Sequence, residues 1–418
     1  MRKPSTRHLY TVLAASPPHA RRRALPAIAG VVLAMALAAA GAVIAVQSPP
    51  REPVFISSGH KPAATVSGGE LIATLSGPGG QAESLAALSP DGKTLAVVTG
   101  AADGGGPASV RLWDIATRRW AAILTLSYSQ CDGGVSSVAY SPDGKTLAMF
   151  SDLGHETCLW DPVTRKVTIL TDPGPGIDGT VGGFGSGGTT LVVADTDGRI
   201  YLWDLATEHV TATLNVPDEP ANPRAQVTYS AAAVSPDGLL AAVATDGAGH
   251  GQVDLFDLAT RRQTATLNDP GGGYVRRLSF GTDGILAIGD GGGRGNVYLW
   301  NAATRRFTGT VVPPVNRARA QAARRGGADA APPGASAVFS PDGTILAATA
   351  AYGYGTCLYN VADGKLLATL TDPGASPSTL PAVAFSPDGL MAVVESNGRT
   401  YLWRLTSPAH RAAHSFKG

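Results

Sequence analysis

Cysteine is scarce in this chain. The 418 residues include three, Cys131, Cys158 and Cys357, and none is spaced from another cysteine or from a histidine as zinc ligands are. The spacing therefore argues against a structural zinc site. Two interpretations of the thiols stay open. Cys131 and Cys158 pair if the protein is exported, or the three thiols stay unpaired and buried as small hydrophobic residues.

The motifs of common enzyme classes are also missing. There is no Gly-x-Ser-x-Gly nucleophile elbow and no protein-kinase signature set. Residues 174–179 match Gly-x-Gly-x-x-Gly by letter, but prolines lie close by and no helix pattern follows. Residues 195–198 resemble part of a calcium loop without its remaining ligands. We therefore predict no catalytic residue, no cofactor and no metal, and expect that the protein is not an enzyme.

Acidic residues are absent from the first 24 positions, which carry six basic ones. An uncharged apolar run follows at residues 25–46. As a helix it is about 33 Å long, enough to cross a bilayer. The basic flank predicts a cytoplasmic tail (1–24), a single transmembrane helix (25–46) and an extracellular remainder. The alternative is a secreted protein, after cleavage of a signal peptide.

Residues 47–68 are rich in proline, serine and glycine, which is typical of an extended linker. Beyond the N-terminal tail the charge balance changes sign. Removing the six N-terminal basic residues from the total of 33 leaves 27, against 32 acidic residues. A slightly acidic body argues against nucleic acid as a partner.

A Ser-Pro-Asp-Gly turn recurs along the rest of the chain, with short apolar runs on both sides. Full copies begin at Ser89, Ser141, Ser235, Ser340 and Ser386, and degenerate copies begin at Gly185 and Gly281. Each copy is followed by an aromatic residue that we interpret as a structural anchor: Trp113, Trp160, Trp203, Phe256, Trp300, Tyr359 and Trp403. A polar turn and a further apolar run follow most anchors, so each unit predicts four short strands.

Four strands in about 44 residues, with Trp-Asp ending the third, resemble the WD40 repeat of β-propellers. The resemblance covers residues 69–406 and implies an all-β, seven-bladed β-propeller, preceded here by the transmembrane helix. One feature departs from the family. Many members open each repeat with Gly-His, whose histidine joins a buried hydrogen-bonded network, whereas Asp-Pro-Gly stands here at residues 172–174, 269–271 and 372–374. The network is therefore either absent or rebuilt.

The last unit contains only three strands and ends in a tail, residues 407–418, that has no strand pattern. Residues 70–75 repeat the pattern of a fourth strand. We predict that this segment pairs with residues 401–405 and closes the ring, because pairing removes an exposed sheet edge.

The resemblance implies that loops between second and third strands, and between blades, share one face. These loops differ from unit to unit, which favours recognition there. Candidate binding residues are His155, Asp197, His250, Arg294, Tyr352 and Tyr354. The 313–334 insertion belongs to the same face. The opposite face carries recurring basic pairs after the anchors, which we interpret as solvated turn residues.

We therefore predict a non-catalytic, membrane-anchored binding or scaffold module with a monomeric propeller. Its partner would be a protein, a peptide or an envelope polymer. The alternative is an extracellular propeller enzyme, lactonase-like or a hydrolase, which would need acid/base or metal residues at the central channel. The first strands of the units look small and apolar at 84–88, 231–234 and 382–385, which argues against that alternative.

Overall fold

The propeller is the part of the chain whose structure can be described. The structure is a computed structural model, and it describes residues 66, 68–76, 85–99, 109–125, 135–151, 156–174, 180–185, 187–195, 199–215, 228–247, 250–268, 270–271, 273–291, 295–314, 334–350, 355–371, 373, 381–386, 388–395 and 399–406. The predicted tail 1–24, helix 25–46, most of linker 47–68 and the tail 407–418 lie outside these residues. Within the described part no helix is long and apolar enough to cross a membrane.

The described residues form 28 strands, grouped in chain order. The first strand is β1 (Gly68–Ser76). Then come β2 (Ala86–Leu88), β3 (Thr94–Thr99), β4 (Ser109–Asp114), β5 (Arg119–Thr125), β6 (Val135–Tyr140), β7 (Leu147–Ser151), β8 (Glu156–Trp160) and β9 (Val167–Thr171). The middle strands are β10 (Thr180–Phe184), β11 (Thr190–Asp195), β12 (Arg199–Asp204), β13 (His209–Asn215), β14 (Thr228–Val234), β15 (Leu240–Gly247), β16 (His250–Asp257) and β17 (Arg262–Asn268). The last are β18 (Val275–Phe280), β19 (Ile285–Asp290), β20 (Val297–Asn301), β21 (Arg306–Val311), β22 (Ala335–Phe339), β23 (Ile345–Ala350), β24 (Thr356–Asn360), β25 (Leu366–Leu370), β26 (Ala382–Phe385), β27 (Leu390–Val394) and β28 (Arg399–Thr406).

These strands build seven four-stranded antiparallel sheets, so the predicted all-β, seven-bladed propeller is confirmed. Blades 1 to 6 are β2–β5, β6–β9, β10–β13, β14–β17, β18–β21 and β22–β25, and blade 7 is β26–β28 with β1. The first strand of each blade contacts the first strands of both neighbours, and β26 contacts β2. The seven first strands therefore surround the ring axis.

The ring closes through its two ends. Strand β1 pairs antiparallel with β28, with Glu70 opposite Arg404, Thr74 opposite Tyr401 and Leu75 opposite Thr400. A bulge between Leu71 and Ala73 shifts the register by one residue. The predicted pairing of residues 70–75 with 401–405 is thus observed. Blade 7 gains its outer strand from the beginning of the propeller, and no blade keeps an unpaired third strand.

The Ser-Pro-Asp-Gly turn has the same local hydrogen bonds wherever the full motif occurs. In blade 2, Ser141 Oγ donates to Asp143 Oδ1 at 2.7 Å and accepts from Thr146 N at 2.9 Å. Gly144 N donates to Ser141 O at 2.8 Å. The glycine lies at φ 72°, a conformation that glycine adopts without a steric penalty. Hydrogen bonds within and next to the motif therefore determine the hairpin turn.

The turns after the anchors of blades 1 to 6 are also capped locally. Asp114 Oδ1 accepts from Thr117 N at 2.7 Å and from Thr117 Oγ1 at 2.8 Å, which holds the pKa of Asp114 below its usual value. The residue after the threonine lies at positive φ, as at Arg118 (φ 54°). Blade 6 places Gly364 (φ 69°) there instead.

The core lies between blades. Seven apolar clusters each join two consecutive blades. In one of them, Val98 of blade 1 packs with Met149 and Trp160 of blade 2, and all three are at most 2% exposed. The second strands are buried on both faces, as in β7. The outer strand β5 instead alternates between exposed and partly buried residues.

All seven anchors lie in or at the end of the third strand of a blade and pack in these clusters. Trp160, Trp203, Phe256, Tyr359 and Trp403 are buried, whereas Trp113 and Trp300 are partly buried. Trp113 and Trp300 each meet an aromatic residue of their own outer strand edge to face, at ring-centroid distances of 4.9 Å from Trp120 and 5.6 Å from Phe307.

The two described cysteines differ in state. Cys158 is disulfide-bonded, so the interpretation that all three thiols stay unpaired is wrong. Cys357 is free and buried. That leaves Cys131, which lies outside the described residues, as the chain's only other cysteine. The unpaired interpretation failed because burial of Cys158 in a core cluster does not prevent its sulfur from forming a disulfide.

Candidate functional site

The antiparallel order of each blade sorts its connections onto two faces. The Ser-Pro-Asp-Gly turns and the turns after the anchors lie on one, which we call the turn face. The connections between second and third strands, and between consecutive blades, lie on the other, which we call the loop face. The turn face repeats one set of local hydrogen bonds, while the loop face differs in sequence from blade to blade.

The candidate binding residues belong to the loop face, but most of them fall outside the described part of the chain. These are His155, Asp197, Arg294, Tyr352 and Tyr354. The backbone of His250 opens β16 and pairs with Gly247 at the tip of the hairpin. Their roles in binding therefore stay predictions. Among the described residues, no group of three or more His, Cys, Asp or Glu side chains is placed to hold a metal ion.

The Asp-Pro-Gly segment between blades 2 and 3 rebuilds part of the buried network whose histidine is missing. Trp203 Nε1 donates a hydrogen bond to Asp172 Oδ1 at 2.9 Å, and this bond joins residues 31 positions apart. By contrast, the indole nitrogens of Trp113, Trp160 and Trp300 are buried without a hydrogen-bond partner in the described structure. Asp172 therefore ties the end of one blade to the anchor of the next.

Burial makes Asp172 an unusual carboxyl group. It is 4% exposed, and its Oδ2 atom has no hydrogen-bond partner. Burial raises the pKa of Asp172 to about 7, the hydrogen bond from Trp203 lowers it, and the charge of Asp195 raises it further. Loss of water around the charged form is the main cause. Its protonation therefore changes near neutral pH.

A tyrosine lies two residues before the anchor in each blade that follows an Asp-Pro-Gly segment: Tyr201, Tyr298 and Tyr401. Tyr201 Oη donates to Asp195 Oδ2 at 3.1 Å, and Tyr401 Oη donates to Pro373 O. A Cβ on Gly271 would lie 2.8 Å from Tyr298 Oη and 2.9 Å from Asp290 Oδ2. The glycine of the segment thus leaves room for the tyrosine hydroxyl of the next blade.

Sequence reasoning missed this arrangement, although the signal is present. Asp-Pro-Gly occurs before blades 3, 5 and 7, and a Tyr-Leu-Trp triplet occurs in those blades alone. The co-occurrence is a sequence pattern, but its meaning depends on the contact between consecutive blades. The hydroxyl of Tyr201 lies beside Asp195, and burial raises the pKa of Tyr201 to about 12, so it stays protonated as a donor.

The innermost strands, β2, β6, β10, β14, β18, β22 and β26, contain mostly small or apolar residues. Blade 5 breaks the pattern. Arg276 and Arg277 of β18 are the only charged residues in the seven innermost strands. The runs 84–88, 231–234 and 382–385, on which the prediction of small and apolar first strands rests, do not include β18. Comparing the runs before the seven turns would have found the exception, because Val-Arg-Arg-Leu-Ser-Phe is the one run with charge.

A bulge positions the two arginines near the loop face. In the pairing of β18 with β19, Val275 lies opposite Asp290 and Arg277 opposite Gly289, so Arg276 is the extra residue. A bulge places two residues opposite one partner residue and redirects side chains locally. Arg276 is exposed and Arg277 partly buried. Arg276 Nη1 donates to Tyr274 Oη at 3.5 Å, a long hydrogen bond just beyond the strand.

Together these features define the class of protein: a closed seven-bladed β-propeller with a repeated turn face, a variable loop face and one basic pair on its innermost strands. Comparison with protein-family models finds no match for this chain, and comparison with curated proteins finds none either.

Proposed function

We propose that the chain is a WD40-like propeller that acts as a non-catalytic recognition or scaffold module. It holds a protein, peptide or envelope polymer on its loop face, outside the cytoplasm, and is anchored in a membrane by residues 25–46. The observation that carries this proposal is the contrast between the faces. The turn face repeats the same hydrogen bonds, whereas the loop face varies and receives the basic pair of β18.

Two features support the location. The disulfide of Cys158 fits an oxidising compartment, where such bonds persist. The proposed linker would also lead into the closing strand, because Gly68, its last residue, pairs with Thr406 in blade 7. The linker would then join the anchor at residues 25–46 to the ring.

Site-specific photo-crosslinking tests which face binds. A photo-reactive phenylalanine analogue is placed in the full chain at Tyr274, on the loop face, or at Val163, which is 87% exposed in a turn of the opposite face. Irradiation of intact cells is expected to yield a discrete crosslinked species from position 274 alone. Crosslinks from position 163 alone, or from neither position, would contradict loop-face recognition.

Protease accessibility tests the topology separately. With epitope tags at both ends of the full chain, protease added to spheroplasts should remove the C-terminal tag and spare the N-terminal tag. Protection of both tags would place the propeller in the cytoplasm. Release of the ring into the medium would favour the secreted alternative.

A further inference from the structure

The arginine pair of β18 stands apart from the acidic side chains that the structure describes. Among the described residues, no ion pair joins Arg276 or Arg277 to a carboxylate. Asp290, the nearest acidic residue along the ladder, lies beside Gly271 and Tyr298: a Cβ on Gly271 would be 2.9 Å from Asp290 Oδ2 and 2.8 Å from Tyr298 Oη. Within the described part of the chain, two like charges are therefore adjacent without a counter-charge.

Burial adds to this cost. The pKa of Arg277 is lowered, first because burial removes water from the guanidinium and second because Arg276 is close. An arginine does not lose its proton in a protein, so the unfavourable energy stays in the fold until an anion neutralises the pair. The other innermost strands carry no charged residue. An arginine pair that destabilises the fold at this position therefore points to a role in binding.

The surroundings also constrain Arg276. A Cβ on Gly334 would lie 3.3 Å from Arg276 Cδ, so the stem of Arg276 packs against glycine backbone. A Cβ on Gly291 would collide with the ring of Tyr274, the hydrogen-bond partner of Arg276. Larger residues at 334 or 291 would displace these side chains. Arg276 and Tyr274 are thus held where β18 meets the loop face.

Arg277 is directed at the neighbouring blade. Phe339 N donates to Ser279 Oγ at 3.4 Å, so the Ser279 face of β18 is directed at β22. Arg277 shares that face, because side chains two apart on a strand point the same way. On β22, Ala335 and Ala337 pack in the cluster that blade 6 shares with blade 5. The described residues of β22 that face Arg277 are therefore small and apolar.

We propose that Arg276 and Arg277 bind a phosphate group at the loop-face end of the innermost strands. A phosphate monoester carries close to two negative charges near neutral pH and so balances two guanidinium groups, whereas a carboxylate balances one. The phosphate comes either from a small free anion or from a phosphorylated envelope polymer. This inference rests on the proposed recognition function, since it names the chemistry of the ligand.

Thermal unfolding of the purified full chain in detergent tests the site directly. Inorganic phosphate is titrated at constant ionic strength, with sodium chloride and sodium acetate as references. An anion that binds only the native state raises the unfolding temperature with its concentration. We expect saturable stabilisation by phosphate, a weaker effect of acetate and no specific effect of chloride.

Two variants and a matched control locate the effect. Arg277→Gln and Arg276→Gln each remove one charge of the pair, and the phosphate affinity should fall at least tenfold in both. Arg305→Gln removes an exposed arginine from the turn face and should keep the wild-type response. Equal responses in all four chains would overturn the proposal, because the anion would then act on the whole surface charge.

A measurement without phosphate checks the variants independently. Since Arg277 is an unpaired and partly buried charge, Arg277→Gln should unfold at the same temperature as the wild type or higher. A lower unfolding temperature would show that the guanidinium has a stabilising partner in the fold, and would contradict the proposal. Arg276 is exposed, so its variant remains testable even if Arg277→Gln does not fold.

Competition distinguishes the two sources of the phosphate. If the crosslink from position 274 disappears in Arg277→Gln and in excess glycerol 3-phosphate, the phosphate belongs to the envelope partner. If phosphate binds but the crosslink persists, the ligand is a small free anion. Both results support the site. No saturable phosphate binding would overturn it and leave the crosslinking pattern of the recognition function unchanged.

Discussion

Asp172 shows how a single side chain can take the place of a larger buried network. Its Oδ1 atom accepts the indole proton of Trp203 across the boundary between two blades. This arrangement leaves the carboxyl group almost fully buried, and its second oxygen has no hydrogen-bond partner. The hydrogen bond lowers the pKa of Asp172 and burial raises it. Burial has the larger effect, since the pKa rises to about 7.

This raised pKa makes the stability of the ring depend on pH. The unfolded chain releases the proton near 3.8, whereas the folded chain keeps it until about pH 7. Asp172 therefore contributes stability that is fully present below about pH 4 and is lost as the pH rises through 7. Asp172→Asn should remove this slope, and its free energy of unfolding at pH 8 should exceed that of the wild type by up to about 4 kcal/mol, measured by denaturant unfolding.

The matched control for this prediction is Asp114→Asn. The pKa of Asp114 is lowered by hydrogen bonds from Thr117, so its contribution is lost only in acid. That variant should leave the slope between pH 5 and pH 8 unchanged. If Asp172→Asn kept the wild-type slope, burial of the charged carboxylate would not be the source of the pH dependence.

At the scale of the element, β1 determines whether the ring is closed. It supplies the outer strand of blade 7, and its Leu75 is 4% exposed in the cluster that joins blades 7 and 1. Thr74, the preceding residue, faces solvent and pairs with Tyr401 through its backbone. Substitutions at these two adjacent residues therefore distinguish the contribution of apolar packing from that of backbone pairing.

Leu75→Ala should lower the free energy of unfolding by about 2–5 kcal/mol, because it leaves a cavity between the first and last blades. Thr74→Ala should change it by less than about 0.5 kcal/mol, since its side chain is on the surface. Urea unfolding of the full chain compares the two. Equal losses would mean that β1 contributes through its backbone alone.

At the scale of the whole molecule, each blade depends on its neighbours. Every apolar cluster joins two blades, so no sheet buries its faces by itself. The disulfide at Cys158 adds a covalent constraint to the cluster shared by blades 1 and 2. The buried thiol of Cys357, whose pKa is raised by burial, lies in the cluster of blades 5 and 6.

Reduction of the disulfide should therefore destabilise the ring, and this effect should require Cys158. Removing a native disulfide typically costs about 2–5 kcal/mol, so dithiothreitol should lower the unfolding temperature of the wild type. Cys158→Ser should start from the lower temperature and lose the response to the reductant, whereas Cys357→Ala should keep that response. A response in Cys158→Ser equal to that of the wild type would contradict the role of this disulfide.

Sequence patterns predicted much of the fold because they are local and repeated. Ser141 to Gly144 specifies a hairpin through hydrogen bonds within five residues, and the aromatic anchors keep the same place in each unit. The pairing of β1 with β28 followed from counting strands. The binding role of the loop-face candidates stays a prediction, as do the membrane anchor and the boundaries of the N-terminal segments.

The sequence by itself therefore determined the number of blades, the turns, the anchors and the way the ring closes, since each is encoded by residues close together or by the period. Only the tertiary structure decided which aspartate meets which tryptophan, which of the described cysteines is paired, and that two arginines of an innermost strand have no ion pair with a described carboxylate. These depend on contacts between blades, and residues in contact there are far apart in the chain, as Asp172 and Trp203 are.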